Sequence, residues 1–468
     1  MEKNNTIFGA TPKQIIGLIA GIVVALIVWF APIEGLPVEG KKALALTLMT
    51  VIFWAMQIAQ AGYVSGLFLV LLVIFNVADT SVIFSSWTGP NIWLVIGAYL
   101  IATAVRTSGL GERIAYNYML RFVNGYRSVI VGIFVLTFIL SILIPHPWPR
   151  AFLIMSVMAI VITSSNVPKA DAIKIGFAVF AASVPISLIF LTGDAVINPL
   201  AVAASGAEIG FIDWFIYMGP PSIICSIITL LVFMFIFKPT EEINVNKEEI
   251  SKKIEGLGPL TKKEIKVIVW IVIAVALWLT DSIHGIHVGW ITLLVGMLMA
   301  MPVIGGSVTA KDWSAVPMQV LIFLTAAITI GVVGAHTGMN EWIATTLLPS
   351  TAPGNIFLLA AFITLIAVII HMLLGSVIAV MGVAIPAILL FTGPLGLNPI
   401  VPTLLVYMAI SSHYILPFQH LNILVGASED TGGYTQKETI KLGIPLTIVV
   451  FLVNIVICIP WWKIIGLV

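Results

Sequence analysis

Arg150 lies in the run Ile142-Leu-Ile-Pro-His-Pro-Trp-Pro-Arg150-Ala-Phe-Leu-Ile, between two apolar stretches each long enough to run deep into a bilayer. An ionisable group at that depth is costly and usually faces a cavity or a substrate path. Prolines at 145, 147 and 149 stop a helix from passing through. Broken backbone at membrane depth survives only where protein or a water-filled cavity surrounds it. A guanidinium presents a planar fork that matches the oxygen pair of a carboxylate, sulfonate or phosphonate. The combination points to a solute site with Arg150 as its counter-charge. The structural alternative is an arginine that satisfies the carbonyls of the broken helix.

Four neighbours extend this candidate chemistry. His146, one turn earlier, and His420, in a second apolar break, can each add a titratable cation or sit neutral against backbone. Asp194, in Leu191-Thr-Gly-Asp-Ala-Val-Ile-Asn198, is the one carboxylate expected near the midplane. It can pair with Arg150, carry a coupling proton or, with Thr192 and Gly193, ligate a cation. Trp148 reads as an aromatic lid over an apolar part of the substrate, or as a packing residue. His371 and His413 fall on helix arms and read as packing residues. Neither a His-Glu-x-x-His run nor a Gly-x-Ser-x-Gly elbow occurs, and the pattern argues against an enzyme.

The elements that position these residues follow from composition. The chain has 468 residues, 60% of them apolar and 9% charged. Soluble domains carry about 25% charged residues, so this is an all-α integral membrane protein of the lipid bilayer. A formal charge of +1 suggests no nucleic-acid partner, and Cys225 and Cys458 read as buried free thiols. Apolar runs mark about eleven spans, near 14–31, 43–59, 62–78, 91–106, 171–191, 212–237, 266–281, 288–304, 318–335, 401–416 and 441–462. Two further regions, 128–163 and 355–392, break at Pro145–Pro149 and at Gly375-Ser376, and read as re-entrant helical hairpins. With the N-terminus cytoplasmic, most cations from Lys3 to Lys441 fall inside, and only Lys41, Lys42 and Lys463 fall outside. The C-terminus is then extracytoplasmic, and 238–266 is a charged cytoplasmic linker.

The halves repeat. Ser108-Gly-Leu-Gly-Glu-Arg-Ile-Ala115 matches Thr337-Gly-Met-Asn-Glu-Trp-Ile-Ala344; the run from Asn198 matches the run from Asn422; Met218-Gly-Pro-Pro221 matches Leu442-Gly-Ile-Pro445. An odd number of spans per unit inverts the second copy. The same offset sets Pro147-Trp148-Pro149 against Ser376-Val377-Ile378 as hairpin tips, and places the break at 191–198 against Leu416-Pro-Phe-Gln-His-Leu-Asn422. Four elements should therefore meet on one cavity.

At this point the chain resembles the divalent anion:sodium symporter family. Asn91-Ile-Trp-Leu-Val-Ile-Gly-Ala-Tyr-Leu-Ile-Ala102 and Arg106-Thr-Ser-Gly-Leu-Gly-Glu-Arg-Ile-Ala115 are similar to a run common there, as is the ending from Ile415-Leu-Pro to Asn422. The resemblance implies eleven spans, two re-entrant hairpins, a homodimer and an elevator motion of a transport domain against a scaffold. It implies di- and tricarboxylates, sulfate and related anions as substrates. The family's Ser-Asn-Thr tip signature falls on Ser376-Val377-Ile378, keeping the serine beside Gly375, and on Pro147-Trp148-Pro149, keeping nothing. Its Thr-Pro-Pro-Asn pattern falls on Ala195-Val-Ile-Asn198 and on Gln419-His420-Leu421-Asn422, keeping the asparagines. The loss of side-chain oxygens argues against sodium coupling, since hard cations need several. No cofactor is expected, with sodium or a proton as the coupling ion.

The expected organisation is scaffold over 1–127 and 267–354, transport regions over 128–237 and 355–468, and the linker between. The expected function is secondary transport of a small anion across the cell membrane, of a kind tolerating an apolar part, because Trp148, Val377, Ile378 and Phe418 would rim the site. The alternative is a cation/proton antiporter that uses Asp194, with Arg150 as its structural partner.

Overall fold

The computed structural model describes residues 11–468 apart from 57, 208, 348–352 and 428–430, and leaves out the side chains of 55, 344, 347, 379, 394 and 418. The described chain is all-helical. Eight of its helices are long and apolar enough to cross a membrane, and shorter apolar helices such as Ala61–Ile74, Val288–Ala300 and Ile400–Ser411 accompany them.

Local chemistry sets the helix starts. Thr11 Oγ1 accepts the Gln14 N–H at 3.3 Å while Gln14 Oε1 accepts the Thr11 N–H at 2.9 Å, closing a capping box before Pro12–Phe30. Thr261 with Glu264, and Thr435 with Glu438, open Lys262–Leu279 and Gln436–Leu452 in the same way. The last helix runs on to Ile464 through a π-helical turn at Val453–Cys458.

The repeat is visible in the order of elements. Pro90–Ser108 ends at Gly109, with φ of 82°, and an amphipathic helix Leu110–Phe122 follows. Met318–His336 is followed by Gly338, with φ of 76°, and by Met339–Leu347. Only glycine takes that left-handed turn without strain. Paired arms come next: Tyr126–Leu143 with Pro147–Ser164, and Ile356–Leu374 with Val377–Thr392. Each half then has a helix, a short 3₁₀ turn at the break (Leu191–Asp194 or Pro417–Gln419), a short helix and a long last helix. Packing between halves is reciprocal. Ala61–Ile74 packs on Met318–His336, and the corresponding Val288–Ala300 packs on Pro90–Ser108. Such exchange is what a pseudo-twofold axis produces.

Arm length is a finding in its own right. At 1.5 Å per residue, an 18-residue arm reaches roughly 27 Å, and Tyr126–Leu143, Pro147–Ser164 and Ile356–Leu374 are each long and apolar enough to cross alone. The meeting of the tips, not the length of the arms, therefore distinguishes them from ordinary spans.

The linker is pinned to one face. Asp171 accepts the Thr240 N–H and hydroxyl, the latter at 2.6 Å, and Lys174 at 2.7 Å. At the other end Arg113 grips Glu264 at 2.6 Å and donates to the carbonyls of Gly258 and Leu257. Lys263 reaches Thr107. The cation-bearing segments 106–127, 169–174 and 238–266 thus meet on one side of the molecule. Leu110–Phe122 and Lys247–Leu257 are helices that span-counting passes over, because their apolar faces are too narrow to register as spans.

Candidate functional site

Both tips and both breaks border one cavity of about 460 Å³. His146, Pro147 and Trp148 come from the first tip, and Gly375, Ser376, Val377 and Ile378 from the second. Asp194, Val196 and Ile197 come from the first break, and Gln419, His420, Leu421 and Asn422 from the second. The side chain of Phe418 lies outside the described residues. The remaining wall includes Gln14, Trp54, Gln60, Tyr99 and Phe323. Sequence reading missed these five. Gln14 and Gln60, polar residues at the edges of apolar runs, carried the only local signal.

The first tip is built by proline and histidine. Tyr126–Leu143 ends at Ile144 in extended backbone, and Pro147 starts the returning arm, where its missing N–H costs nothing. His146 caps that arm: Nδ1 accepts the Trp148 N–H at 3.2 Å. With Nδ1 an acceptor, the neutral ring carries its proton on Nε2, which meets the Tyr99 hydroxyl at 2.8 Å. Both nitrogens of His146 are thereby engaged. Trp148 also borders a second cavity of about 540 Å³, with Arg106, Glu112 and Tyr99, and so stands between the two spaces.

Arg150 does not line the cavity. It is fully buried, Nη1 donates to the carbonyls of Ile144 at 3.1 Å and Gly193 at 3.2 Å, and Nη2 donates to Ser187 Oγ at 2.7 Å. Ala195 N–H donates to the Pro145 carbonyl at 3.2 Å beside it. Arg150 therefore stitches the first tip to the first break, and its guanidinium lies behind the cavity wall rather than in it. The physical reason is that two broken helices leave carbonyls with no helical partner, and a buried guanidinium carries five donors to satisfy them.

The first break is likewise self-contained. Asp194 Oδ1 accepts the N–H groups of Val196 at 3.0 Å and Ile197 at 3.2 Å, capping Ile197–Ser205. Asp194 reaches the cavity wall, yet among the described residues it forms no ion pair within 4.0 Å. The pairing with Arg150 is thus replaced by capping. Asn198, expected to touch substrate, lies outside the cavity wall; Nδ2 donates to the carbonyls of Ser187, Phe190 and Leu191, and Oδ1 takes the Tyr407 hydroxyl. Gly193 gives its carbonyl to Arg150, and Thr192 is buried with its hydroxyl unpartnered; neither lines the cavity.

The second half leaves more of its polar atoms open. Gly375, with φ of 63°, turns the chain at the tip, and the Ser376 carbonyl accepts the Val380 N–H of the returning arm. Gln419 Oε1 accepts the N–H groups of Ile415 and Leu416, each at 2.7 Å. Nδ2 of Asn422 has no hydrogen-bond partner, although the residue is only 3% exposed. Nε1 of Trp54 is in the same condition. Two arms begin at the tips, but the first offers no open N–H there, since Pro147 and Pro149 carry none and that of Trp148 goes to His146; the second arm's N-terminus, at Val377 and Ile378, borders the space. Apolar walls with a few convergent donors and one such N-terminus suit a small anion with an apolar portion.

Comparison with known proteins agrees. The chain is 25% identical to "Dicarboxylate transporter 1, chloroplastic" of Arabidopsis thaliana, over 96% of this chain and 83% of that one. It is 23% identical to the "Sodium-dependent dicarboxylate transporter SdcS" of Staphylococcus aureus, over 71% and 70%, and 23% identical to a "Membrane protein" of Cupriavidus necator, over 96% and 93%. A family profile described as "Sodium:sulfate symporter transmembrane region" matches residues 12–468. With its repeated halves, paired arms and shared cavity, this chain belongs to that family, the divalent anion:sodium symporters.

Proposed function

We propose that this protein is a secondary transporter of small organic anions, with dicarboxylates and anions bearing an apolar part as its substrate class. The observation that carries the reading is the cavity of about 460 Å³ where both tips and both breaks meet, walled by Trp148, Val377 and Ile378 and offering the unpartnered donors of Asn422 and Trp54. Relatives named as dicarboxylate transporters support the substrate class. Ser376, Gln419, Asn422, His146 and His420 are the positions that meet the anion, with Arg150 bracing the tip from behind.

Alternating access proceeds by an elevator motion. The arms, breaks and short helices of the two halves pack on one another, for instance Ile197–Ser205 on Val377–Thr392 and Leu421–Gly426 on Lys169–Ile186. The spans of 1–127 and 267–354 pack mainly among themselves, and form the scaffold of a homodimer in the cell membrane. Sodium is the coupling ion that one relative's name carries. The antiporter alternative loses support, because Asp194 is engaged as a cap.

The test is uptake by the purified chain in liposomes of radiolabelled succinate, malate and sulfate, with and without a sodium gradient. Accumulation or exchange of a dicarboxylate supports the reading. Failure of all three anions to accumulate or exchange, with folded protein in the membrane, overturns it.

A further inference from the structure

Three imidazoles lie at or behind the wall contributed by the second half. Of these, His420 borders the cavity and is 4% exposed, no side chain partners either ring nitrogen, and the Ser411 backbone lies within reach of the ring. One residue earlier, the Gln419 carbonyl accepts Nε2–H of His371 at 3.0 Å. The His371 ring stands 5.7 Å from that of His413, whose Nε2 meets the Thr447 hydroxyl at 2.9 Å. Nδ1 of His371 and Nδ1 of His413 are both buried without a partner. A buried polar atom left unpaired is costly, and these ring nitrogens, gathered at and behind one wall, form a feature that packing does not account for.

The surroundings decide what these rings can do. Tyr414, its ring 6.5 Å from His420 and its hydroxyl unpartnered, and Tyr434 are the other titratable neighbours in this half. Across the cavity stand Asp194 and the Tyr99–His146 pair. Among the described residues that line the cavity there is no lysine or arginine. An anion entering such a space needs positive charge beyond the helix N-terminus. Imidazole is the side chain that takes up a proton near neutral pH, and it holds that proton better with an anion beside it. His146 is already committed at both nitrogens, whereas no side chain engages His420.

We propose, resting on the anion-transport reading above, that a proton bound by His420 is the positive charge that travels with the anion, with His371, which holds the Gln419 carbonyl, and His413, packed on His371, as positioning residues. The proton joins one ring nitrogen of His420 as the anion binds; anion and proton leave together on the far side, and the neutral ring returns. Each transported anion then moves one negative charge fewer than its own.

The experiment uses the full chain in liposomes with radiolabelled succinate, in sodium-free potassium buffer with valinomycin holding the potential at zero. An inward proton gradient should raise wild-type uptake several-fold over symmetrical pH. In His420→Gln the ratio of uptake with and without the gradient should fall to one, whatever the absolute rate. In His371→Gln the ratio should survive with a displaced pH profile, which a merely structural role does not predict. A pH-sensitive dye trapped in wild-type liposomes provides a readout that needs no variant: external succinate should acidify the lumen in step with uptake. Succinate uptake that responds to sodium, ignores the proton gradient and leaves the dye unchanged overturns the proton proposal and keeps the anion reading. A gradient ratio unchanged in His420→Gln also overturns it. No uptake or exchange under any gradient overturns both.

Discussion

Nδ2 of Asn198 donates to three backbone carbonyls, of Ser187, Phe190 and Leu191, whereas Nδ2 of Asn422, the matching residue of the second half, has no partner and borders the cavity. Two copies of one motif have thus divided its labour: one holds a broken helix in shape, and the other presents a donor to the space. Asn422→Ala should therefore weaken substrate binding about tenfold, or about 1.4 kcal/mol, with little change in unfolding temperature. Asn198→Ala should instead cost about 2–4 kcal/mol of stability, since it strips several buried bonds at once. Succinate titration and thermal unfolding of both purified variants separate the two; equal effects on stability would contradict the division.

Arg150 is bound to Ile144, Gly193 and Ser187, so its replacement should first be felt in folding. Arg150→Gln leaves carbonyls of two elements unsatisfied and should cost about 3 kcal/mol. Arg150→Lys keeps the charge without the fork and should recover only part of that. Thermal unfolding in detergent checks this. A variant as stable as the parent but dead in transport would return Arg150 to the substrate.

Relative motion of scaffold and transport region is testable at Gly382. A Cβ placed there lies 3.9 Å from Cβ of Ile330 on Met318–His336, within the span of a disulfide. The pair Ile330→Cys with Gly382→Cys, oxidised, should stop uptake, and reduction should restore it. Full transport with the cross-link formed would show that these helices do not separate during the cycle.

The Arg113–Glu264 pair, which ties Leu110–Phe122 to the end of the linker outside the apolar spans, gives a pH prediction. Hydrogen bonding from Arg113, ahead of the opposing burial, brings the Glu264 carboxyl down from 4.5 to about 2. A lowered carboxyl contributes its stability above the unfolded value and loses it as pH falls through the folded one. The contribution should be complete at neutral pH and drain away between about pH 4.5 and about pH 2. Arg113→Ala should cost about 1–3 kcal/mol at neutral pH and flatten that part of the acid profile. Acid unfolding followed by tryptophan fluorescence reads both.

The sequence by itself determined that the chain lives in a bilayer, where its apolar helices run, where two of them break and which segments correspond between halves. Those properties are local: apolar runs, prolines and glycines act within a few residues of themselves. The choice among side-chain roles was tertiary. Asn198 is saturated in part by Tyr407, 209 residues away, and His371, read from sequence as packing, joins the site through a carbonyl 48 residues on. Arg150 looked like a substrate charge because the sequence shows the buried cation and the break, but not the direction in which a guanidinium turns. That direction is set by the nearest unpaired carbonyls, and only the packing of one broken helix against the next brings them within reach.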